Sequence, residues 1–182
     1  MRRDLIERAM AGDHDAFSEL ARAAIARLYA AAQLILRDPV ASEDAIQETL
    51  VAAWRDLSAL RDPDRFDAWL HRLLVRACYR EARRGRRRWT VEREVRPARM
   101  AEPDPAIDLA ARDELERGFS KLDPDQRAVI VLHHYLGLTL DEVAAALGVP
   151  TGTAKSRLHR ATRAMRAALD ADARPVIEGR LA

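Results

Sequence analysis

The chain carries one cysteine, Cys78, few glycines, few aromatic residues and no long apolar run. A single thiol cannot close an internal disulfide, and it lacks the CxxC partner of a structural zinc site, so the expected setting is reducing and Cys78 is expected to pack. Seven glycines and 5% aromatics in 182 residues argue against a β-sandwich, whereas plentiful Ala, Leu, Arg and Glu favour helix. Arg22, Arg27 and Gln33 interrupt the most hydrophobic stretch well before the roughly 18–20 residues a membrane span requires, which excludes a transmembrane segment. Met1-Arg2-Arg3-Asp4 leads into an amphipathic pattern and not into an apolar signal core, so the cytoplasm is the expected location. Neither sign of charge dominates: 31 basic against 29 acidic residues leave a formal +2. Lysine is scarce, with only Lys121 and Lys155, an arginine bias that codon usage explains as easily as phosphate binding.

Helical periodicity organises what remains. Phe17, Leu20, Ala24, Leu28, Ala31 and Ile35 recur at steps of three and four, predicting a long helix that Asp13 caps and Asp38-Pro39 ends. A second helix is expected after Ser42, with Ile46, Leu50, Ala53, Trp54 and Leu57 on its apolar side. A third starts near Asp62-Pro63 and buries a set drawn from Phe66, Trp69, Leu70, Leu73, Ala77 and Cys78 before Gly85. With Leu5 to Met10 as a further turn, these form a three- or four-helix bundle over residues 1–85. The apolar period then disappears, and Pro97, Pro103 and Pro105 mark residues 86–106 as a flexible linker. Helical spacing resumes at Ile107, and Asp123-Pro124 opens another helix that closes at Gly137. The fold class is therefore all-α, two small helical domains, the second spanning 107–170 with a tail over 171–182.

Charge is segmented along this plan. Residues 80–99 hold nine arginines against three glutamates, residues 101–125 eight acids against three bases, and residues 151–174 six bases against two acids. Two separated basic surfaces suit two separated contacts with a polyanion, although either run alone can simply solvate a helix. The second run coincides with a motif. Thr139 and Glu142 form a capping box, Gly148-Val149-Pro150 makes a turn, and a helix starts at Thr151, the lengths and caps of a helix-turn-helix. Small residues at Ala144 to Ala146 allow the two helices to cross closely. Thr151, Thr153, Lys155, Ser156, Arg157 and Arg160 supply a face for phosphates and base edges in a major groove.

The N-terminal half offers two further faces. Glu43, Asp44, Gln47 and Glu48 make an acidic and amide surface that repels DNA and suits a basic protein, with a solvated face as the plain alternative. On the third helix Arg65, Arg72, Arg76, Arg80, Arg83 and Arg84 are interleaved with Phe66, Trp69 and Tyr79. Cations that follow a backbone beside rings that take bases fit unstacked nucleic acid. Helical spacing equally places Trp69 and Phe66 in a core.

The string Ser42-Glu43-Asp44-Ala45-Ile46-Gln47-Glu48-Thr49, then Trp54 and Phe66-Asp67-Ala68-Trp69-Leu70, resembles region 2 of a bacterial RNA polymerase sigma factor. Leu122 to Arg127 and Gly152 to Ala161 resemble region 4. The order of parts over roughly residues 11–170, with no region 3 between, is similar to the extracytoplasmic-function (ECF) group. The resemblance implies a non-catalytic initiation factor without a cofactor or metal. Its implied partners are core RNA polymerase, through the β′ clamp helices and β flap, promoter DNA, and an anti-sigma protein of the kind that commonly holds such factors. It implies polymerase docking by Asp44, Gln47 and Glu48. It implies −10 reading and strand opening by Arg61, Arg65, Phe66, Trp69, Arg72, Arg76, Arg80, Arg83 and Arg84. The −35 element falls to the helix from Thr151 to Arg160. Arg76 and Arg80 stand where many members carry Asn and Asp, and Ala154 replaces a common valine. No fused regulatory domain is expected after Leu169.

Three other readings compete. A stand-alone helix-turn-helix regulator would bind duplex DNA without polymerase. An RNA-binding bundle would use the 80–99 run and leave the C-terminal motif idle. An enzyme finds little support, since adjacent His133 and His134 lack the i, i+4 spacing of paired zinc ligands and no HExxH or nucleophile elbow appears.

Overall fold

The computed structural model describes residues 2–88 and 109–172. Eight α-helices account for nearly all of it, with no strand among the described residues. The N-terminal unit comprises α1 (Arg2–Met10), α2 (His14–Leu36), α3 (Pro39–Asp56) and α4 (Phe66–Arg88). The C-terminal unit comprises α5 (Leu109–Ser120), α6 (Pro124–Ile130), α7 (Leu140–Leu147) and α8 (Thr151–Asp172). Most of the predicted linker lies outside the described residues.

Local chemistry explains the boundaries. Asp13 caps α2 by accepting from the amides of Asp15 and Ala16 at 3.0 Å, and Arg8 holds its other oxygen at 2.9 Å and 2.5 Å. These bonds keep its carboxyl below the ordinary range, the Ala16 amide contributing most. Pro39 does not delay the next helix to Ser42 as expected. It occupies the first position of α3, where its missing N–H costs nothing, and Asp38 caps that helix through the Ala41 amide at 3.1 Å. At the third helix, Asp62 caps a single 3₁₀ turn, Pro63–Arg65, that leads into α4. That helix does not stop at Gly85 but continues to Arg88.

In the C-terminal unit, Asp123 and Gln126 form a reciprocal capping box at 2.8 and 3.0 Å, and α6 begins as predicted. The helix then widens into a π-turn, Val131–Tyr135, before Gly137. Thr139 and Glu142 cap each other at the start of α7, with the Glu142 carboxylate accepting from the Thr139 amide at 2.9 Å. Gly148 ends α7 in the left-handed conformation at φ 67, which a side chain resists.

Leu28, Ala31 and Ile35 of α2, Ala45 and Ala53 of α3, and Leu74, Ala77 and Cys78 of α4 are fully buried together. Burial pushes the Cys78 thiol up to about 12, so it packs as expected and is not a nucleophile. Val129, Leu132, Val143, Ala154 and Ala161 form the C-terminal core. At Gly118 a Cβ would stand 2.6 Å from the Met165 sulfur, so glycine lets α8 approach α5 closely. The two units are packed against each other: α7 lies along α4, and α6 with its π-turn lies against α2.

Candidate nucleic-acid interface and acidic docking face

On α3, Glu43, Asp44 and Gln47 point to solvent while Ser42, Ala45, Ile46 and Thr49 face inward. Ser42 and Thr49 are satisfied by donating to the Asp38 and Ala45 carbonyls at 2.7 and 2.6 Å. Glu48 is only half exposed, and its carboxylate accepts an ion pair from Arg80 Nε at 2.8 Å, the other oxygen being buried without a partner. The predicted docking set is therefore divided: Asp44 and Gln47 are free, and Glu48 is tied to α4. Sequence reading missed Val40 and Val51, which are 65% and 66% exposed. With Asp44, Gln47 and Trp54 they step along α3 by three or four residues, an apolar and acidic stripe on one side. That spacing is present in the sequence, but the core stripe Ile46, Leu50, Ala53 and Leu57 runs along the same helix and carries the stronger apolar period. Trp54, 40% exposed, is braced by Phe17 and His14 with ring centroids 5.0 and 5.3 Å away.

On α4, Arg72, Arg76, Tyr79 and Arg83 fall within about 60° of one another at 100° per residue, while Arg80 is turned by a further ~40° toward α3. Arg61, Arg65, Arg76, Arg83 and Arg84 are exposed and Arg72 is half buried. Arg84 pairs with buried Glu81 one turn earlier, and Arg65 lies 3.5 Å from Asp62. Trp69 is half buried and rests on Phe66 at 5.9 Å. Phe66 itself is 3% exposed, so it supports Trp69 from below and offers no surface to a base.

On α8, Lys155, Ser156 and Arg160 are exposed, and Thr153 and Arg157 are half buried. The Thr151 hydroxyl donates to Asp141 at 2.8 Å and thereby ties the start of α8 to the start of α7. Ser156 donates to the Thr153 carbonyl at 3.0 Å, and Arg160 Nε lies 3.4 Å from the Ser156 carbonyl. Arg157 and Arg160 share a small cleft with Asp123 and Asp125. The crossing of α7 and α8 that a helix-turn-helix requires is present, with Ala144, Ala146 and Ala154 buried at it.

His133 and His134 do no joint chemistry. His133 Nδ1 lies 2.8 Å from the Leu138 carbonyl, to which it donates, and the two rings meet edge to face at 4.8 Å. Among the described residues no cluster of His, Cys, Asp or Glu is arranged to hold a metal ion, and no helix is long and apolar enough to cross a membrane.

Polar bookkeeping between the two units is incomplete. Arg72 Nε, Tyr79 Oη and His71 Nδ1 on α4, and Arg127 Nε on α6, are buried without a hydrogen bond in the protein. Each such group costs about 1–3 kcal/mol. Burial, with Arg37 of α2 nearby, pushes Arg127 down to about 10.

A helix with an exposed acidic face, an arginine-bearing helix and a helix-turn-helix follow in the order of a promoter-specificity subunit of RNA polymerase, and the comparisons with known proteins place the chain in that class. Residues 8–88 match the model of Sigma-70 region 2, and residues 112–165 match that of Sigma-70, region 4. The chain is 34% identical over 162 residues to the ECF RNA polymerase sigma factor SigM of Mycobacterium tuberculosis, covering 87% of this chain and 79% of that one. It is 37% identical over 184 residues to the RNA polymerase sigma factor CnrH of Cupriavidus metallidurans, covering 93% and 95%. Among solved structures, CnrH in complex with the cytosolic domain of CnrY superposes with a TM-score of 0.68 at 32% identity, covering 94% and 99%. The sigma factor RpoE of Bartonella quintana, in complex with the anti-sigma factor NepR, gives 0.71 at 27%, covering 86% and 98%. The chain belongs to the ECF group of the sigma-70 family and directs promoter-specific transcription initiation with core RNA polymerase.

Proposed function

We propose a residue-level division of that labour. The stripe Val40, Asp44, Gln47, Val51 and Trp54 docks on a basic helical surface of core polymerase, with Glu48 at its edge. The exposed Asp44 carboxylate between Val40 and Val51, which are 65% and 66% exposed, supports this, since apolar surface beside an unpaired charge suits a partner better than water. The face of α4 bearing Trp69, Arg72, Arg76 and Arg83, together with Arg61 and Arg65 just before the helix, holds the −10 strand, with an unstacked base against Trp69 and phosphates along the arginines. Lys155, Ser156, Arg157 and Arg160 on α8 read the −35 duplex in the major groove, with Thr153 at the edge of that face. Residues 1–85 and 107–170 are the two working units on either side of a linker, and the factor acts non-catalytically in the cytoplasm. An anti-sigma protein regulates it, a reading supported by the solved complex of RpoE with the anti-sigma factor NepR.

The observation that carries the −35 assignment is the crossing of α7 and α8 around Ala144, Ala146 and Ala154, which leaves the basic side of α8 outward. Run-off transcription with core polymerase tests it. The double change Arg157→Ala and Arg160→Ala should abolish dependence on the −35 sequence and keep dependence on the −10 sequence. Unchanged −35 dependence refutes the assigned face.

A further inference from the structure

An apolar cleft of about 420 Å³ has no part in the docking, −10 or −35 faces. It opens where the C-terminal end of α2 meets α5, the π-turn and α8, and Leu115, Phe119, Tyr135, Met165 and Leu169 line it. Leu115 and Tyr135 are 37% and 43% exposed, two large side chains on display in one concavity. Apolar surface gathered in this way marks a binding site.

The polar part of the lining is small and incompletely satisfied. Gln33 is 3% exposed; its Nε2 donates to the Tyr29 hydroxyl at 2.9 Å, and its Oε1 is buried without a partner. A hydrocarbon cannot serve that oxygen, whereas a peptide backbone brings an N–H. Arg37, also in the lining, donates to the Glu116 carbonyl at 2.6 Å. It ends α2 in the left-handed conformation at φ 57, the one non-glycine residue with positive φ among the described residues. Glycine or asparagine ordinarily fills such a position, and a strained residue persists where its side chain has a use. Burial lowers the Arg37 guanidinium from its ordinary value against the pull of Glu116, and Arg37 in turn depresses Arg127. A further carboxylate at this end of the cleft would be favoured.

The segment of chain that leaves this cleft has the matching chemistry. Helix α8 ends at Asp172, three residues and about 4.5 Å beyond Leu169 of the cleft wall. Residues 173–182 follow it with the sequence ARPVIEGRLA. Pro175 cannot continue an α-helix and steers Arg174 toward extended backbone, so the course of α8 is broken just past the cleft. Val176 and Ile177 favour extended backbone, whose alternation puts Ile177 and Leu181 on one side. Glu178 stands next to the first of them. Ten residues reach up to about 33 Å, ample for doubling back, and the tether holds the segment at roughly millimolar effective concentration.

We propose that residues 173–182 are the occupant of this cleft: the segment folds back from the end of α8, Ile177 and Leu181 fill the apolar space between α2, α5 and α8, its backbone serves Gln33, and Glu178 pairs with Arg37. A partner that seats an apolar segment in the same cleft must first displace it.

The full-length chain carrying Leu115→Cys tests this. Leu115 lies in the cleft wall and on no DNA or docking face, and buried Cys78, its thiol pushed up to about 12, does not compete. The probe is iodoacetamide, a neutral reagent, and the alkylation rate of the introduced thiol is measured with and without the added changes Val176→Ser, Ile177→Ser and Leu181→Ser. These serines lie outside the packed helices, and matched melting curves check the fold. The serine-bearing chain should react at least ~10-fold faster, the protection given by a segment seated in about nine of ten molecules. Glu178→Arg alone should raise the rate by ~3-fold. Equal rates in the presence and absence of the serines overturn the proposal. So does protection that rises with protein concentration in both chains, which identifies a second copy as the cover, or a copurifying small molecule in the native mass spectra of both.

Discussion

His71 makes folding of this chain sensitive to mild acid. It lies on the buried side of α4, 7% exposed, with Nδ1 unpartnered. Burial pushes its pKa down from 6.5 to about 4; Asp67 opposes the shift, Arg27 adds to it and Glu142 opposes it weakly. The unfolded chain therefore takes a proton near pH 6.5, while the folded chain resists until near pH 4. Stability from the neutral imidazole is fully present above pH 6.5 and is lost as pH falls toward 4. At pH 5 the gap spans ~1.5 units, or about 2 kcal/mol at 1.36 kcal/mol per unit. His71→Met replaces an unpaired imidazole with an unbranched apolar chain and removes the proton linkage. Urea unfolding of both proteins at pH 7 and pH 5 gives the comparison, and carboxylates such as Asp13 cancel because both chains carry them. Wild type should lose about 2 kcal/mol more than His71→Met between the two pH values. Equal losses, within ~0.5 kcal/mol, would show that His71 is hydrated and that the packing described around it is wrong.

Other expectations follow from individual contacts. Thr139→Ala removes a cap and should cost about 1 kcal/mol, seen as a melting temperature lowered by a few degrees. Asp44→Ala with Val51→Arg should weaken association with core polymerase in a pull-down titration by ~10-fold or more, with the melting temperature unchanged, because both side chains lie on the surface and the change sets a cation against the basic partner. Arg80→Ala should leave affinity for a −10 strand nearly intact, since Glu48 already holds that guanidinium, whereas Arg76→Ala should weaken it and flatten its salt dependence by about one charge.

Much of the fold was legible because its signals are local. Asp13, Asp123 with Gln126, and Thr139 with Glu142 announce helix starts by chemistry contained within four residues, and Gly148 announces an end. Pro39 misled because a proline both closes one helix and opens the next, and only the Asp38 side chain decides which residue begins it. The π-turn at Val131–Tyr135 has no signature in spacing, since it depends on how Leu136 and Leu138 find carbonyls five and six residues back. The arginines of α4 were visible as a set, but not the withdrawal of Arg80 by Glu48 or the burial of Phe66 under Trp69. Those depend on neighbouring helices. Least legible was the closure of α7 over α4, which joins segments some seventy residues apart through side chains that no periodicity links.

The most direct test of promoter selection presents purified core RNA polymerase and this chain with a library of randomised promoters and sequences the transcript starts. Starts should concentrate at templates sharing one −10 and one −35 sequence at a fixed spacing, and the chain alone should bind those templates weakly. Starts no more selective than those of core polymerase alone, or tight duplex binding by the chain without polymerase, would contradict it.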